Sequence, residues 1–600
     1  GEKPMAVNNI YYVDMEKRYR DFQEGTVDMR NLHPMVYDDR NVALAVRQLS
    51  QSPGRMALGP DGTNYKTLEK YSVVELSEIV RERLFSKRMD YVRRTYIPKS
   101  NGKMRPLGIC SIWDKLVEKC IQLVLEPYCE TKFVPSSFGF RERISTHNAL
   151  AKVKNECQTK PYVLSIDMKD YFGTIDPDIT YRELWHIGVK DQVILNYIYH
   201  FIKKGYFENS CKVEDPKGSP QGSILGPLVS NVYLHRFDVW LRDQGDCWHD
   251  PTVKKFHDPG NRRRRMEETN LKIGIHVRYA DDILVLCKDL EDAERFRHSV
   301  TKYLTKNMKL VINEEKTKIY DLTRERMKYL GYDFYVFKRN TKHPKKKGRF
   351  MVANTLPKNR ANEIVAKCRE LLQQIRKHPQ YDTFHEWNAY VVGIHNYYCG
   401  MNLFCESFNQ LGWRIKKLFY HTMEKTAKFT YEQSCKNNYL QGKYSSWGKN
   451  GYYCFEGFPI IEIGWASYDK GLIAAVKGTV KRDNPYHYGE KKHRPGVSME
   501  MITYLVNTSK YIKNSRLAMF RISKYSSMKG ISYLSGEFVP VDKYHCHHII
   551  PRYKGGSNDF DNLCVLSELE HRILHSSTPE QLYVLFPKKK KRIKMLIDAL

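Results

Sequence analysis

The stretch IHVRYADDILVLC, residues 275–287, sets two apolar segments of strand-like character on either side of Ala280-Asp281-Asp282. Its pattern predicts a tight turn carrying two adjacent carboxylates between two β-strands. Crowding like charges is unfavourable, and converging carboxylate oxygens are the ordinary ligands of a hard divalent cation. Taken alone, the tripeptide reads equally as an acidic hairpin turn. A second stretch, KPYVLSIDMKDYFGTIDP at 160–177, shifts the balance, because Val163 to Ile166 predicts a short strand that delivers Asp167 at its end. Three strand-end carboxylates can hold two Mg2+ ions, with Asp167 and Asp281 as principal ligands and Asp282 as a weaker or supporting one. Two such ions activate an attacking 3′-hydroxyl and stabilise leaving pyrophosphate, so the expected reaction is nucleotidyl transfer. Asp170 and Asp176 lie close by, where solvent-facing or helix-start roles suit them equally well.

The surrounding composition agrees with a nucleic-acid partner. The 600 residues hold 99 Lys and Arg against 68 Asp and Glu, a formal charge of +31, and a polyanion is the natural counterpart of such a surface. Length alone predicts roughly four domains of about 150 residues each. At 41% hydrophobic and 28% charged, the chain has material for several cores, which excludes wholesale disorder and collagen-like repeats. No window approaches the ~18 apolar residues of a membrane span, and the first 25 residues carry acids without an apolar signal core. The 14 cysteines never form a CxxC pair, so a disulfide framework is not implied and a reducing compartment fits.

Further motifs occur in order along the chain: GPDG at 59–62, IPKSNGKMRPLGI at 97–109, SFGFR at 137–141, IDMKDYFGTID at 166–176, GSPQGSILGPLVSNVYL at 218–234, RYADDILVL at 278–286, then NEEKTKI at 313–319 and YLGYDF at 329–334. In order and spacing they resemble the group II intron-encoded reverse transcriptases and maturases, over roughly residues 40–435. The resemblance implies a right-hand polymerase with fingers, palm and helical thumb. It also implies that Phe172 lies beneath the incoming sugar, where its ring favours dNTPs, and that Pro220, Gln221 and Gly222 shape the floor under the nucleotide and primer end. Lys103 and Arg105 are expected to meet triphosphate or template from the fingers turn, with Arg141 a looser candidate. Lys316 resembles the residue that holds the closing strand against the active site. For each of these a packing or surface role is the alternative. In the thumb, Arg414, Lys416 and Lys417 alternate with Trp413, Phe419 and Tyr420, a pattern that lets cationic stems cover apolar surface while meeting backbone phosphates.

A separate constellation closes the sequence: VDKYHCHHIIPRYKGGSNDFDNLCVLSELEHRILH at 541–575. His571 and His575, four apart, share one helical face, and a strand-turn-strand before that helix can bring His547 to the same ion. The pattern resembles the HNH, or ββα-metal, endonucleases. That resemblance implies His547, His571 and His575 as ligands of one divalent metal, expected to be Mg2+, with His548 as the base that activates water and Asn562 orienting the site. A structural zinc site completed by Cys546 or Cys564 is the alternative.

The expected architecture is multidomain α/β and α: an N-terminal extension (1–40), fingers and the start of the palm (41–160), palm with an insertion near 245–270 (161–340), helical thumb or maturase domain (341–435), a basic connector or DNA-binding region (436–530) and an HNH nuclease (531–600). The expected function is intron mobility, with structured intron RNA, target DNA, an RNA/DNA hybrid and dNTPs as partners, no membrane, and a monomer or homodimer in the bacterial cytoplasm or nucleoid, or an organelle matrix or stroma. A defence-associated reverse transcriptase and a nonenzymatic splicing scaffold are the competing functions.

Overall fold

The computed structural model describes residues 8–98, 102, 104–208, 211–214, 218, 221–245, 273–338, 349–398, 401, 404–423, 429–432, 452–455, 458–461, 463, 485–486 and 497–599. The insertion near 245–270 and most of the basic stretch 338–349 lie outside them.

The palm is a four-stranded sheet in the order β6-β7-β3-β8, built from β3 (Tyr162–Ile166), β6 (Gly274–Tyr279), β7 (Asp282–Cys287) and β8 (Lys318–Asp321). Both faces of the sheet are covered, which explains why β7 is apolar at every position after Asp282. Leu164, Ile166, Ile283 and Val285 enter one core, which extends through the N-terminal helices and the fingers to the C-terminal helices. Val163, Val277, Leu284 and Leu286 enter the other, shared with the thumb. Side-chain alternation along a strand therefore splits one short sheet between the two largest cores.

The fingers carry β1 (Val92–Pro98) and β2 (Met104–Ile109), the expected basic hairpin, joined to β4 (Tyr206–Glu208) and β5 (Cys211–Val213) in the order β2-β1-β4-β5. Beside them the helix Ile112–Glu130 begins at Ser111, whose hydroxyl accepts from Asp114 N. Residues 8–24, which carried no expectation of structure, form a helix on that same core. Met15, Tyr19 and Phe22 are buried, and Arg18 reaches Asn41 Oδ1 at 2.7 Å and Leu123 O at 3.2 Å.

Beyond the palm, β9 (Met327–Tyr329), β10 (Tyr332–Lys338) and β11 (Phe350–Thr355) form a three-stranded sheet that leads into the thumb helices Lys358–Lys377, Tyr381–Tyr398 and Phe404–Met423. The helical part of the expected thumb, 341–435, ends early: Phe429–Glu432 is a strand (β12) paired with β13 (Tyr452–Phe455), which pairs with β14 (Phe458–Ile460). The helices Met499–Ser509 and Ser515–Ser527 follow, and then β15 (Tyr544–His548), β16 (Leu563–Ser567) and the helix Glu568–Ser576, the strand-turn-strand-helix order expected of the last domain.

One buried cation fixes the palm turn. The guanidinium of Arg278 on β6 is fully buried, and each of its donors is used: toward Asp238 Oδ1 (2.8 Å) and Oδ2 (2.6 Å), Asn231 Oδ1 (3.1 Å), Ala280 O (2.9 Å) and Ser137 Oγ (2.6 Å). Asp238 and Asn231 lie on the helix Gly226–Gly245. The arginine therefore clamps that helix, the 136–141 loop and the carboxylate turn to one another. Removing one partner of a buried pair leaves the other charge uncompensated, at a cost of about 3–5 kcal/mol. Asp238→Asn should lower stability by about that amount, measured as the midpoint of the first denaturant transition. A surface pair such as Arg81–Glu78, 3.4 Å apart with both side chains exposed, should move the same midpoint by no more than about 0.5 kcal/mol when broken.

Candidate functional site

The antiparallel register of β3 and β7 pairs Ile166 with Ile283. One step further along, Asp167 leaves β3 where Asp282 enters β7, so the strand ends deliver both carboxylates to one edge of the sheet. Asp281 occupies the turn between Tyr279 and Asp282, which pair across β6 and β7. Ala280 turns the chain with a φ of 57°, and its carbonyl is held by Arg278. Gly139 lies against this turn so closely that a Cβ there would meet Ala280 N at 2.3 Å. Only a residue without a side chain allows that approach.

The electrostatics follow from the crowding. The Asp282 side chain opens to solvent at the edge of the sheet, but its carboxyl is hemmed in by protein. That loss of hydration, with Asp281 and then Asp167 adding like charge, pushes it up to about 6. Lys316 opposes the shift; its Nζ stands 3.4 Å from Asp167 Oδ2. Asp167 is further held by Asn313, whose Nδ2 donates to Oδ2 at 2.9 Å, and by Thr317, whose hydroxyl accepts from Asp167 N at 3.3 Å. Hard oxygen donors that repel one another unless a cation lies between them fit a divalent ion. Asn313 and Thr317 carried no expectation, although both flank Lys316 in NEEKTKI.

Around this edge stand several of the expected contact residues. Phe172 opens a short 3-10 turn (Phe172–Thr174), half-buried, with its ring edge-on to Tyr171 and Phe140. Gln221 bridges to the fingers: its carbonyl accepts from Gly108 N at 2.7 Å and its Oε1 from Arg105 Nε at 2.9 Å. Gly222 takes a φ of +104°, and a Cβ there would meet Leu107 Cδ1 at 2.8 Å and Gly108 O at 3.0 Å. Arg105, Gln221 and Gly222 are thus brought together, while Lys103 and Pro220 lie outside the described residues. Arg141 does not reach a substrate. Its guanidinium is buried against the Glu130 carboxylate at 3.0 Å and donates to Val134 O and Ser137 O, each at 2.7 Å. This corrects the expectation of a triphosphate or template contact, since the guanidinium is buried and turned inward to Glu130 and the 134–137 carbonyls. In the thumb, Arg414, Lys416 and Lys417 are exposed; Lys417 lies 3.8 Å over the Trp413 ring, and Arg414 donates to Asn362 at 2.9 Å.

At the C-terminal end, alternation along β15 puts His545 and His547 on the face that meets the helix Glu568–Ser576. Ligand atoms of His545, His547 and His571 lie within 4.8 Å of one another. The His575 ring is 4.7 Å from that of His571 and 5.4 Å from that of His547. The expected trio of His547, His571 and His575 therefore gains a fourth imidazole and, by proximity of ligand atoms, is led by His545 instead of His575. The i, i+2 spacing of His545 and His547 on a strand was the signal available in the sequence. Burial, reinforced by the neighbouring histidines, pushes His547 down to about 3 and His545 to about 4, so both are neutral, the ligand form of imidazole. His547 Nε2 is buried with no hydrogen-bond partner among the described residues, which fits a metal ligand. Cys564 does not complete a zinc shell: it belongs to an apolar cluster with Leu534, Leu566 and Leu574, and burial pushes its thiol up to about 12. Cys546 alternates to the opposite face.

His548 Nε2 pairs with Asn558 Oδ1 at 2.8 Å. Asn562 spans the loop: its Oδ1 accepts from Ile550 N at 2.7 Å, and its Nδ2 donates to Ile550 O at 2.9 Å and Ser557 O at 2.8 Å. Asn562 thus has its polar side-chain atoms occupied by the loop.

Two segments of the chain match known families, and each contains one of the sites. Residues 97–334 match the reverse transcriptase (RNA-dependent DNA polymerase) family, and residues 535–576 match HNH endonuclease. The chain is similar to Protein YkfC of Escherichia coli K12, 29% identical over 352 residues, covering 56% of this chain and 89% of that protein. It is 31% identical over 289 residues to the group II intron-encoded protein LtrA of Lactococcus lactis, covering 42% of this chain and 48% of the relative. Against the putative COX1/OXI3 intron 1 protein of Saccharomyces cerevisiae it is 27% identical over 321 residues, 49% of this chain and 38% of the relative. The match thus takes in most of the first relative and less than half of the other two. The strand-end carboxylates thus lie inside the segment matched to reverse transcriptases and the histidine cluster inside the segment matched to HNH endonucleases, in a chain similar to group II intron-encoded proteins.

Proposed function

We propose that this protein serves intron mobility: it binds its structured intron RNA and assists splicing, nicks target DNA at the histidine site, and extends the resulting 3′ end by copying RNA. The register that brings Asp167 to the Asp281-Asp282 turn carries this reading. Asp167, Asp281 and Asp282 would hold two Mg2+ ions, which would lower the cost of charge on the attacking and leaving oxygens. The 3′-hydroxyl attacks the α-phosphorus of a dNTP and pyrophosphate departs. Phe172 closes the floor under the sugar and disfavours a 2′-hydroxyl by contact. Gln221 and Gly222 support the nucleotide from the turn that Arg105 ties to the fingers. Exposed Lys416 and Lys417 meet backbone phosphates without selecting bases.

At the nuclease site His548, oriented through Asn558, takes a proton from water as the water oxygen bonds to phosphorus and the 3′-oxygen of the cleaved bond leaves; His545, His547, His571 and His575 would hold the metal ion. An imidazole donor set favours a borderline transition ion such as Zn2+ or Ni2+, and accepts Mn2+ more readily than Mg2+, which holds to oxygen ligands. This revises the expectation of Mg2+ at that site.

Primer extension on an RNA template tests the polymerase: Asp281→Asn should reduce the rate at least ~100-fold, and unchanged synthesis would remove Asp281 from the centre. Nicking of supercoiled plasmid should be lost in His548→Ala while extension persists, and should saturate at lower Mn2+ than Mg2+; the reverse metal order would reject the imidazole ligand set. Because the folded Asp282 carboxyl titrates above its ordinary 3.8, at about 6, its ionised form opposes folding when no cation is bound. Asp282→Asn should therefore raise the Tm of metal-free protein at pH 7.5, and that gain should shrink as pH falls through 6 toward 4. Extension by the wild type should fall over the same window, with the acid limb moving to lower pH as Mg2+ rises.

A further inference from the structure

The nuclease domain is joined to the fingers by side chains as well as by the chain. The helix Ser515–Ser527 lies between them. On the fingers side, Ser515 N donates to Tyr71 O at 3.0 Å, Ser515 Oγ to Leu68 O at 3.1 Å, and Lys510 Nζ to Asp39 Oδ2 at 2.7 Å. On the nuclease side, the ring of Phe520 meets that of Phe560 edge-on, and Tyr544 at the start of β15 donates its hydroxyl to Arg521 O at 2.9 Å.

One residue bonds to both sides at once. Arg516 donates through Nη1 to Glu69 Oε1 at 2.7 Å and through Nη2 to Asp559 Oδ1. Glu69 is in the fingers. Asp559 directly follows Asn558, which holds His548, and lies within the loop that Asn562 braces. A planar guanidinium offers two diverging N–H edges and is suited to joining two carboxylates in fixed geometry, which a lysine ammonium does less well. The Arg516 side chain is about one quarter exposed and that of Glu69 about one fifth, so this pair is less screened than a surface bridge, while Asp559 at the other end is about half exposed.

We propose that Arg516 is a positioning residue that ties the nuclease loop 556–562 to the fingers, so that the aim of His548 depends on a contact outside the nuclease domain. Breaking the far end of the tie, at Glu69, loosens a loop on which Glu69 has no direct contact. The inference rests on the nuclease reading for its catalytic consequence, but the tie itself has an independent readout.

Hydrogen exchange on the full-length chain tests it. Glu69→Gln should speed exchange in peptides covering 549–562 while leaving those covering the palm strands 162–166 and 282–287 unchanged. Asp559→Asn should do the same, and the double variant should be no faster than the faster single one, because each substitution breaks the same tie. Nicking of supercoiled plasmid DNA in Mn2+ should lose about tenfold in kcat with an unaltered KM in Glu69→Gln. Glu69→Asp should restore part of that loss, and RNA-templated extension should be unaffected. Wild-type exchange at 549–562 in Glu69→Gln, or effects that multiply in the double variant, would overturn the proposal. Loosening of the loop in a chain whose wild type does not nick plasmid would overturn the nuclease assignment instead.

Discussion

A guanidinium buried without water must satisfy every donor or cost several kcal/mol. Arg278 meets that constraint by drawing acceptors from separate parts of the chain: Asp238 and Asn231 from one helix, Ser137 from a loop before the palm, and Ala280 from its own turn. The same loop is gripped from its other side by Arg141, paired with Glu130. Between the two arginines the backbone of 134–141 has little freedom, and Gly139 can lie against Ala280 without a side chain in between. The position of Asp281 and Asp282 is therefore decided by groups that never touch a substrate.

That rigidity has an electrostatic purpose. Three carboxylates gathered at one sheet edge would spread apart if their supports were soft. Here they are held by β3–β7 pairing, by Asn313 and Thr317 at Asp167, and by the arginine-bound turn. The raised Asp282 carboxyl records lost hydration first and, after it, the repulsion from Asp281 and Asp167. A cation bound there removes a strain already present, so part of the metal affinity comes from relief of repulsion and little from rearrangement.

Local pattern made the chemistry legible, and tertiary pairing hid the rest. Asp167 and Asp281-Asp282 could be placed because short apolar runs end in acids, and the histidine helix because His571 and His575 are four apart. The same logic misjudged Arg141, since a basic residue beside an aromatic motif looks the same in sequence whether it faces a phosphate or Glu130. His545 escaped notice because the more familiar His547-His548 pair stands beside it. The helix Asn8–Glu24 buries Met15, Tyr19 and Phe22 against segments a hundred residues away, and nothing local announces that partner. The strands of 452–460 lie in a region of Gly, Tyr and Lys without clean periodicity, where pairing with Phe429–Glu432 decides the structure. Segments that depend on a distant partner carry little intrinsic signal.

The +31 charge can now be assigned by exclusion. The chemical centres use little of it: one is acidic apart from Lys316 beside Asp167, and the other includes His545 and His547, kept neutral by burial. Some of the cations are internal, as Arg278 and Arg141 show, and contribute nothing to a surface field. A nucleic-acid backbone would be repelled from a bare carboxylate trio. Its attraction must come from cations exposed elsewhere, such as Lys416 and Lys417 beside Trp413, which is 61% exposed. Separating attraction from chemistry in this way lets the field concentrate a polyanion over the whole face, while the metal centres stay anionic or neutral enough to hold their ions. A single cationic active site could not do both, because the charge that draws the phosphates would expel the metal.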